Sequence, residues 1–248
     1  MGAVTVITSG KGGVGKSTVS AGLAAAFSAR GRRVLLIDCD AGLGCLDHIL
    51  GVAEQRVFDL ADIVSGRAEP ADAVYACGTL PNVFLLPAPG SQEDVVSPAI
   101  MKQLTEAFSK YYDHILIDCP AGVGSGFASA VAGAQRALVV STPDPVCLRN
   151  SNRTRQLLEQ LGVPQQRMVI NRFSSRNFRL QGFYPDLDTV IDAAGIRLIA
   201  VIPEDPLLAA AAARSEPAPA NCPGALAFGR LAARLEGEQV PLAPLQKF

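Results

Sequence analysis

The stretch Gly10-Lys11-Gly12-Gly13-Val14-Gly15-Lys16-Ser17 decides the fold of this 248-residue chain. Its glycines let consecutive backbone N–H groups turn inward around a chain of phosphates. The Lys16 ammonium can reach the β- and γ-phosphates, and the Ser17 hydroxyl can ligate Mg²⁺. The stretch therefore predicts a nucleotide-binding loop formed by Gly10, Lys11, Gly12, Gly13, Val14, Gly15, Lys16, Ser17 and the following Thr18.

The residues on either side of this loop support the prediction. Val4-Thr5-Val6-Ile7-Thr8 is a short β-branched run, typical of a buried strand, and apolar residues recur at helical spacing from Ser17 to Ala29. A helix that begins near Lys16 adds its positive N-terminal end to the phosphate site. The alternative, a loop that only turns the chain, is disfavoured by this order of strand, loop and helix.

Apolar runs alternate with helical patterns along the rest of the chain, which predicts an α/β fold with a mostly parallel, twisted sheet and helices on both faces. Further strands are expected at residues 33–38, 83–87, 114–118, 137–141, 167–171 and 197–202, with 83–87 at or near an edge. Further helices are expected near 59–65, 98–110, 124–134, 146–161, 187–194 and 222–236. No repeat or linker divides the sequence, so we expect a single domain over 1–248 with a short irregular tail at 236–248.

Composition indicates a globular protein of the cytoplasm. Hydrophobic residues make up 49% of the sequence and the net charge is −1, so one large core can form. No apolar run approaches the ~20 residues that span a bilayer, and no signal segment precedes the first strand. The six cysteines never form a C-x-x-C pair, which argues against a dedicated zinc or cluster site.

Acidic residues follow two of the expected strands, where ligands bind at the carboxyl ends of a parallel sheet. Asp118 closes an apolar run and can hold Mg²⁺ directly or through water, with a helix-capping role as the alternative. Asp38 and Asp40 lie two residues apart, so in an extended segment their side chains point the same way. One of the two carboxylates can then contact the coordination shell of the metal ion, while the other contacts a water molecule.

The loop resembles that of the deviant Walker A ATPases, the MinD/ParA family, whose pattern K-G-G-x-G-K-[ST] is matched at every position from Lys11 to Ser17. In that family the extra lysine reaches across a nucleotide-sandwich dimer to the partner's phosphates. The resemblance implies ATP or ADP with Mg²⁺ as ligands, an ATP-dependent homodimer, and catalytic roles for Lys11 and Lys16. The alternative for Lys11 is a solvated loop charge.

Two further segments extend the resemblance. The segment from Asp38 to Asp47 looks like D-x-D-x-G-L-x-x-L-D of the MinD branch, which implies that Asp40 orients the attacking water. Asp118-Cys-Pro-Ala-Gly resembles D-S-P-A-G, with Cys119 in place of serine. The metal residues implied are Ser17, Asp38 and Asp118. On the base side the resemblance implies Asn171, for which a turn role is the alternative, together with Pro203 and Asp205.

The function implied by the resemblance is an ATP-hydrolysing dimerisation switch, in division-site placement, with a regulatory protein partner that stimulates hydrolysis. The alternatives are a ParA-like DNA partition ATPase and a small-molecule amide ligase of related fold. Seven arginines between Arg149 and Arg179 could meet DNA phosphates, but solvated surface charges are favoured because the net charge is near zero.

The end of the sequence departs from the MinD branch, whose members usually finish in a basic amphipathic helix that inserts into a membrane. Pro241 and Pro244 disfavour a helix here, and Lys247 is the only base after residue 235. Attachment at the inner face of the cell membrane, if it occurs, is therefore not expected to run through residues 236–248.

Overall fold

The computed structural model describes residues 1–41, 44–90, 96–120, 122 and 124–244. The strands are β1 Ala3–Thr8, β2 Val34–Asp38, β3 Tyr75–Ala76, β4 Val83–Leu86, β5 His114–Asp118, β6 Arg136–Ser141, β7 Gln166–Phe173 and β8 Leu198–Pro203. The helices are α1 Lys16–Ala29, α2 Leu46–Ile49, α3 Leu60–Val64, α4 Pro98–Phe108, α5 Ser125–Val131, α6 Pro145–Gln160, α7 Ser175–Gln181, α8 Leu187–Ala194, α9 Pro206–Ala213 and α10 Pro223–Leu235.

The strands form one sheet in the order β3-β4-β2-β5-β1-β6-β7-β8. Strand pairs are parallel except for the short β3, which runs antiparallel to β4 at the edge. In the register of the centre, Val34 lies opposite His114 and Asp38 opposite Asp118, while Ile7 of β1 also pairs with Asp118. The two aspartates are therefore neighbours at the carboxyl edge of the sheet.

Helices cover both faces of the sheet, as the sequence predicts. On one face, Leu35 and Ile37 of β2 pack into a core that includes residues of α4, α5, α6 and α8. On the other face, Val34 and Leu36 pack into a core with α1 and α10. Because side chains of β2 alternate between two buried cores, the strand is apolar at successive positions rather than at every second one.

The longer predicted strands and helices are confirmed, and the differences concern short elements. The run near 83–87 lies one strand in from the edge because β3 covers it. β3 and α2 contain only two and four residues, too few to produce a clear hydrophobic period. The sequence of α7 contains only two apolar residues, Phe178 and Leu180, so it shows no such period either. The helix expected to reach 134 ends at Val131, and the described part of the tail, 236–244, contains no helix.

The contact between α1 and α10 depends on a glycine. A Cβ built at Gly22 would lie 2.3 Å from the ring of Phe228, so a larger residue would collide with the ring. Phe228 is 1% exposed in the core between the two helices.

No helix in the described parts of the chain is long and apolar enough to cross a membrane.

We predict that Phe228→Ala lowers the free energy of unfolding by about 3–5 kcal/mol, because the buried ring leaves a cavity that cannot fully collapse. The matched control is Leu226→Ala on the same helix, where the side chain is 47% exposed and the change should stay near about 0.5 kcal/mol. Urea denaturation followed by circular dichroism measures both. Equal losses for the two variants would contradict the packing described for α10.

Candidate functional site

The loop between β1 and α1 is shaped by glycines in the left-handed region. Gly13 has φ 78° and Gly15 has φ 92°, a conformation in which a Cβ is strained. A Cβ at Gly15 would also lie 2.4 Å from Nδ2 of Asn171. Ser9 stabilises the start of the loop, since its hydroxyl donates to the carbonyl of Lys11 at 2.8 Å. These glycines and this hydrogen bond turn the backbone between β1 and α1, and phosphate binding by the loop stays a prediction.

Neighbouring elements hold this loop from outside. Nδ2 of Asn171, on β7, donates to the carbonyl of Val14 at 2.8 Å. A Cβ at Gly10 would lie 2.5 Å from the carbonyl carbon of Asn150 on α6, so the loop and that helix are in close contact. Sequence reasoning missed Asn150, because its position against the loop follows from the packing of α6. The proposed base-side role of Asn171 stays a prediction.

The two loop lysines differ in environment. Lys16 is 7% exposed at the start of α1, and it forms no ion pair within the described residues. Lys11 is exposed. The charge of Lys11 acts on Asp144, the N-cap residue of α6. The pKa of Asp144 is lowered: burial raises it, but hydrogen bonds from Cys147 and Thr142 lower it more, and the charge of Lys11 lowers it slightly further. Lys11 therefore lies near the start of α6, and Lys16 is a buried positive charge in need of an anion.

Below the loop, Asp118 is bound by hydroxyl groups of α1. The Ser20 hydroxyl donates to Oδ1 of Asp118 at 3.0 Å, and the Ser17 hydroxyl is also hydrogen-bonded to this carboxylate. Burial nevertheless raises the pKa of Asp118 to about 6, while the charge of Lys16 acts in the opposite direction. Sequence reasoning missed Ser20, although its position one helical turn after Lys16 is a usable signal.

Asp38 is buried beside Asp118. Burial raises the pKa of Asp38 to about 7, and the charge of Asp118 raises it further than Asp40 does. The strand stops at Asp38, whose Oδ1 accepts the backbone N–H of Asp40 at 2.9 Å. Asp40 is half-buried and lies two residues after the end of the strand. The expectation that the Asp38 and Asp40 side chains point the same way therefore stays a prediction.

These residues fit a Mg²⁺ ion. Two buried carboxylates with raised pKa values lie at one strand edge, and a hydroxyl already contacts one of them. Within the described residues, no group of three or more His, Cys, Asp or Glu side chains could hold a metal by itself. Mg²⁺ is commonly held by one or two carboxylates together with substrate phosphates and water, so an incomplete protein shell is consistent with it.

Three cysteines surround the same edge as neutral thiols. Burial raises the pKa of Cys119 to about 12, and it also raises the pKa of Cys39. Cys45 is exposed as a residue, but its thiol is partly buried. This burial raises the pKa of the thiol, and a hydrogen bond with Ser17 acts in the opposite direction. The cysteine that replaces serine after Asp118 therefore adds no negative charge to the site. Gly42 and Leu43, part of the resemblance in this segment, lie outside the described residues.

The remaining predicted residues lie at the same edge of the sheet. Pro203 ends β8 opposite Phe173 in the register with β7, which also carries Asn171. Asp205 caps α9, accepting from Leu207 N–H at 2.9 Å, and its other oxygen accepts from Gly224 N–H at 2.9 Å. In the structure Asp205 thus joins α9 to α10. Contacts of Pro203 and Asp205 with a base stay predictions.

The first four arginines of the arginine-rich segment do not lie together on one face. Arg149 and Arg153 lie in the first part of α6, where they line a cleft with Tyr184. Arg155 is paired with Glu159 at 2.6 Å. Arg167 lies near the start of β7, at the opposite edge of the sheet from the loop. The arrangement agrees better with dispersed surface charges than with a continuous DNA-binding surface.

Comparison with known proteins identifies the family to which this chain belongs. Residues 5–218 match the model of the CobQ/CobB/MinD/ParA nucleotide binding domain. The chain belongs to this family. It is 37% identical over 247 residues to the septum site-determining protein MinD of Thermotoga maritima, covering 98% of this chain and 91% of that protein. The MinD/ParA resemblance inferred from the loop is therefore confirmed.

Solved structures of the MinD branch of the family agree. A chain of the MinC:MinD cell division protein complex of Aquifex aeolicus superposes with a TM-score of 0.87 at 33% identity, covering 98% of each chain. The septum site-determining protein MinD from Pyrococcus horikoshii, complexed with Mg-ADP, superposes with a TM-score of 0.84 at 32% identity, covering 96% of this chain and 97% of that one. The α/β fold of a P-loop protein is thus confirmed.

The buried carboxyl pair predicts a pH dependence of stability. Folding raises the pKa of Asp38 from 3.8 to about 7, so the folded chain binds more protons than the unfolded chain between these values. The free energy of unfolding of the nucleotide-free protein should therefore fall as the pH rises from about 4 to about 7. Asp38→Asn should make this slope shallower, as measured by urea denaturation at a series of pH values.

The matched control for this prediction is Asp72→Asn, which removes an exposed carboxylate and leaves the buried pair intact. Its slope should equal that of the unmodified chain. A slope that is the same in all three proteins would contradict the assignment of the pH dependence to Asp38.

Proposed function

We propose that this protein is an ATP-hydrolysing dimerisation switch of the MinD type that acts in placement of the division site. The observation that carries the proposal is the buried Lys16, which forms no ion pair among the described residues and whose charge acts on the Asp118 carboxylate. A nucleotide phosphate with Mg²⁺ satisfies both the cation and the carboxylates. Family membership and the Mg-ADP complex of the Pyrococcus horikoshii relative support this proposal.

In the proposed site, residues Gly10 to Thr18 surround the phosphates of ATP or ADP. The loop N–H groups and Lys16 compensate the phosphate charge. Ser17, Asp38 and Asp118 would hold Mg²⁺, which supplies charge neutralisation at the phosphoryl group when it is bound. Asn171, Pro203 and Asp205 lie at the same sheet edge on the β7 and β8 side, where we propose that the base binds.

Hydrolysis is proposed to depend on Asp40 and Lys11. Asp40 is half-buried and its backbone N–H donates to Asp38. We propose that its carboxylate faces a water at the phosphate and orients the nucleophile. Lys11 is exposed on the loop, so it is available to a second copy of the chain. A cation supplied to the transferring phosphoryl group from a partner resembles an arginine finger, which links turnover to dimer formation.

A regulatory protein partner completes the proposal. The relative from Aquifex aeolicus is described as a complex of MinC with MinD, which supports a partner of the MinC type. The dispersed arginines give less support to a partition ATPase that moves on DNA.

We propose a peripheral location at the inner face of the membrane, in which the proline-containing tail is not the anchor.

We predict that Lys11→Ala retains ATP binding but loses ATP-dependent dimerisation and hydrolysis. Binding remains because Lys16 and the loop N–H groups are still present. Lys16→Ala, in contrast, should weaken Mg-ATP binding by about 100-fold or more, because a buried charge-assisted contact of about 3 kcal/mol is lost. Calorimetry measures binding, and light scattering with ATP and with ADP measures the dimer.

Lys110→Ala is the matched control for these two variants, since it removes an exposed lysine at the end of α4. It should bind, dimerise and hydrolyse as the unmodified chain does. If Lys11→Ala also dimerises and turns over ATP normally, Lys11 is a surface charge and the switch mechanism fails. Unchanged Mg-ATP affinity in Lys16→Ala would refute the phosphate site itself.

The role of Asp40 gives a separate prediction. Asp40→Ala should bind Mg-ATP and accumulate as the dimer, while turnover falls by about 10²-fold or more, the scale of a lost positioned acid–base group. Single-turnover hydrolysis and sizing in ATP measure the two effects. Loss of Mg-ATP binding in this variant would instead place Asp40 in the metal shell and would exchange its role with that of Asp38.

A further inference from the structure

A second charged cavity lies at the opposite end of the sheet from the loop. It has a volume of about 170 Å³, and Arg136, Arg167 and Arg234 line it together with Gln165 and Leu235. Arg136 opens the six-residue strand β6, so at about 3.3 Å per residue the cavity lies roughly 17 Å from the carboxyl edge. The nucleotide site is therefore separated from it by the length of the strands.

Two hydrogen bonds hold the guanidinium of Arg136, and its third nitrogen has no acceptor among the described residues. Its Nε donates to the Thr5 hydroxyl at 2.7 Å, and its Nη1 donates to the carbonyl of Leu235 at 2.9 Å. Its Nη2 is buried and has no hydrogen-bond partner among the described residues. A buried guanidinium N–H without an acceptor is costly. An acceptor bound at this point would remove that cost.

The other two arginines also contact backbone carbonyls rather than acids. Arg167 donates to the carbonyl of Gln166 at 2.8 Å. Arg234 donates to the carbonyl of Val240 at 2.8 Å and to that of Ile199. Within the described parts of the chain, none of the three lining arginines forms an ion pair. The cavity therefore has no carboxylate within ion-pair distance of its guanidinium groups among the described residues, and Glu236 acts on Arg136 only at longer range.

Two other arginines at this edge of the sheet, in contrast, do have acidic partners. Arg30 and Arg32 bind Glu236 at 2.7 and 2.6 Å, and Arg30 also contacts Glu238. The charges of that cluster are balanced by the segment that follows α10. Burial lowers the pKa of Arg136, with the charge of Glu236 opposing the effect, and burial likewise lowers the pKa of Arg234. An anion in the cavity would offset this desolvation.

We propose that this cavity is a second anion site, which binds a phosphate group carried either by free inorganic phosphate or by a phospholipid headgroup. Guanidinium groups offer paired N–H donors that match phosphate oxygens, and phosphate brings enough charge for several of them. The site goes beyond the proposed nucleotide function and does not depend on it, since it shares no residue with the loop.

The test titrates inorganic phosphate against the full chain while the loop is blocked. Thermal unfolding and calorimetry are run with saturating Mg-ADP, and again in the Lys16→Ala chain so that the result does not require nucleotide binding. A ligand that binds the folded state raises the melting temperature. In both backgrounds, Arg167→Gln and Arg167→Gln/Arg234→Gln should weaken phosphate binding by about 10-fold or more, the factor for a lost charge-assisted contact.

Arg197→Gln is the matched control, because Arg197 is exposed just before β8 and does not line the cavity. It removes the same charge and should keep the phosphate affinity of the unmodified chain. Arg136 is left unchanged in these variants because its contacts with Thr5 and Leu235 also support the fold.

A second arm separates the two sources of the phosphate group. Cosedimentation uses vesicles of phosphatidylglycerol and phosphatidylcholine in equal parts, with pure phosphatidylcholine vesicles for comparison. Binding to the anionic vesicles that is lost in the double variant and displaced by inorganic phosphate identifies the headgroup. Phosphate binding without vesicle binding identifies the free anion. Phosphate affinity that is unchanged in the double variant, or lowered equally by Arg197→Gln, overturns the proposal.

Discussion

The burial of two carboxylates side by side at the end of β2 and β5 is the constraint on which the rest of the site depends. Asp38 and Asp118 are paired in the register of the sheet, and burial together with their mutual repulsion raises the pKa of Asp38 to about 7. Such a pair is unfavourable unless protons or a cation neutralise it. The lysine and hydroxyl groups of α1 are therefore placed where they relieve the pair, and a nucleotide-bound Mg²⁺ would complete that neutralisation.

The loop above the carboxylates is equally constrained by close packing. Gly15 has a left-handed backbone conformation, and a Cβ at this position would collide with the side chain of Asn171. Gly10 lies against the backbone of Asn150. Asn171 also donates to the carbonyl of Val14. The strand β7 and the helix α6 thus set the position of the phosphate-binding backbone, so the site is a property of three separate segments of the chain rather than of the loop alone.

Charge is distributed differently at the two edges of the sheet. The carboxyl edge combines buried acids with Lys16, which suits a phosphate that carries a metal ion. At the amino edge, hydrogen bonds from Arg32, Arg30 and His114 outweigh burial and lower the pKa of Glu236 to about 2, so this carboxylate stays ionised and holds the end of α10. Arg136, Arg167 and Arg234 form no ion pair with Glu236, although its charge acts on Arg136, and the three arginines line one cavity. The anion site proposed at the amino edge is therefore separate from the nucleotide site proposed at the carboxyl edge.

The sequence by itself determined the α/β class, most strands and helices, the nucleotide loop and the family, because glycine spacing and buried apolar runs are local signals. It also predicted Asp38 and Asp118 at one edge, since parallel strands end together. Only the tertiary structure decided that Asn150 contacts the loop, that Asp205 also accepts from Gly224, and that Arg167 and Arg149 line different cavities. These features depend on contacts between distant segments, for which residue spacing along the chain carries no information.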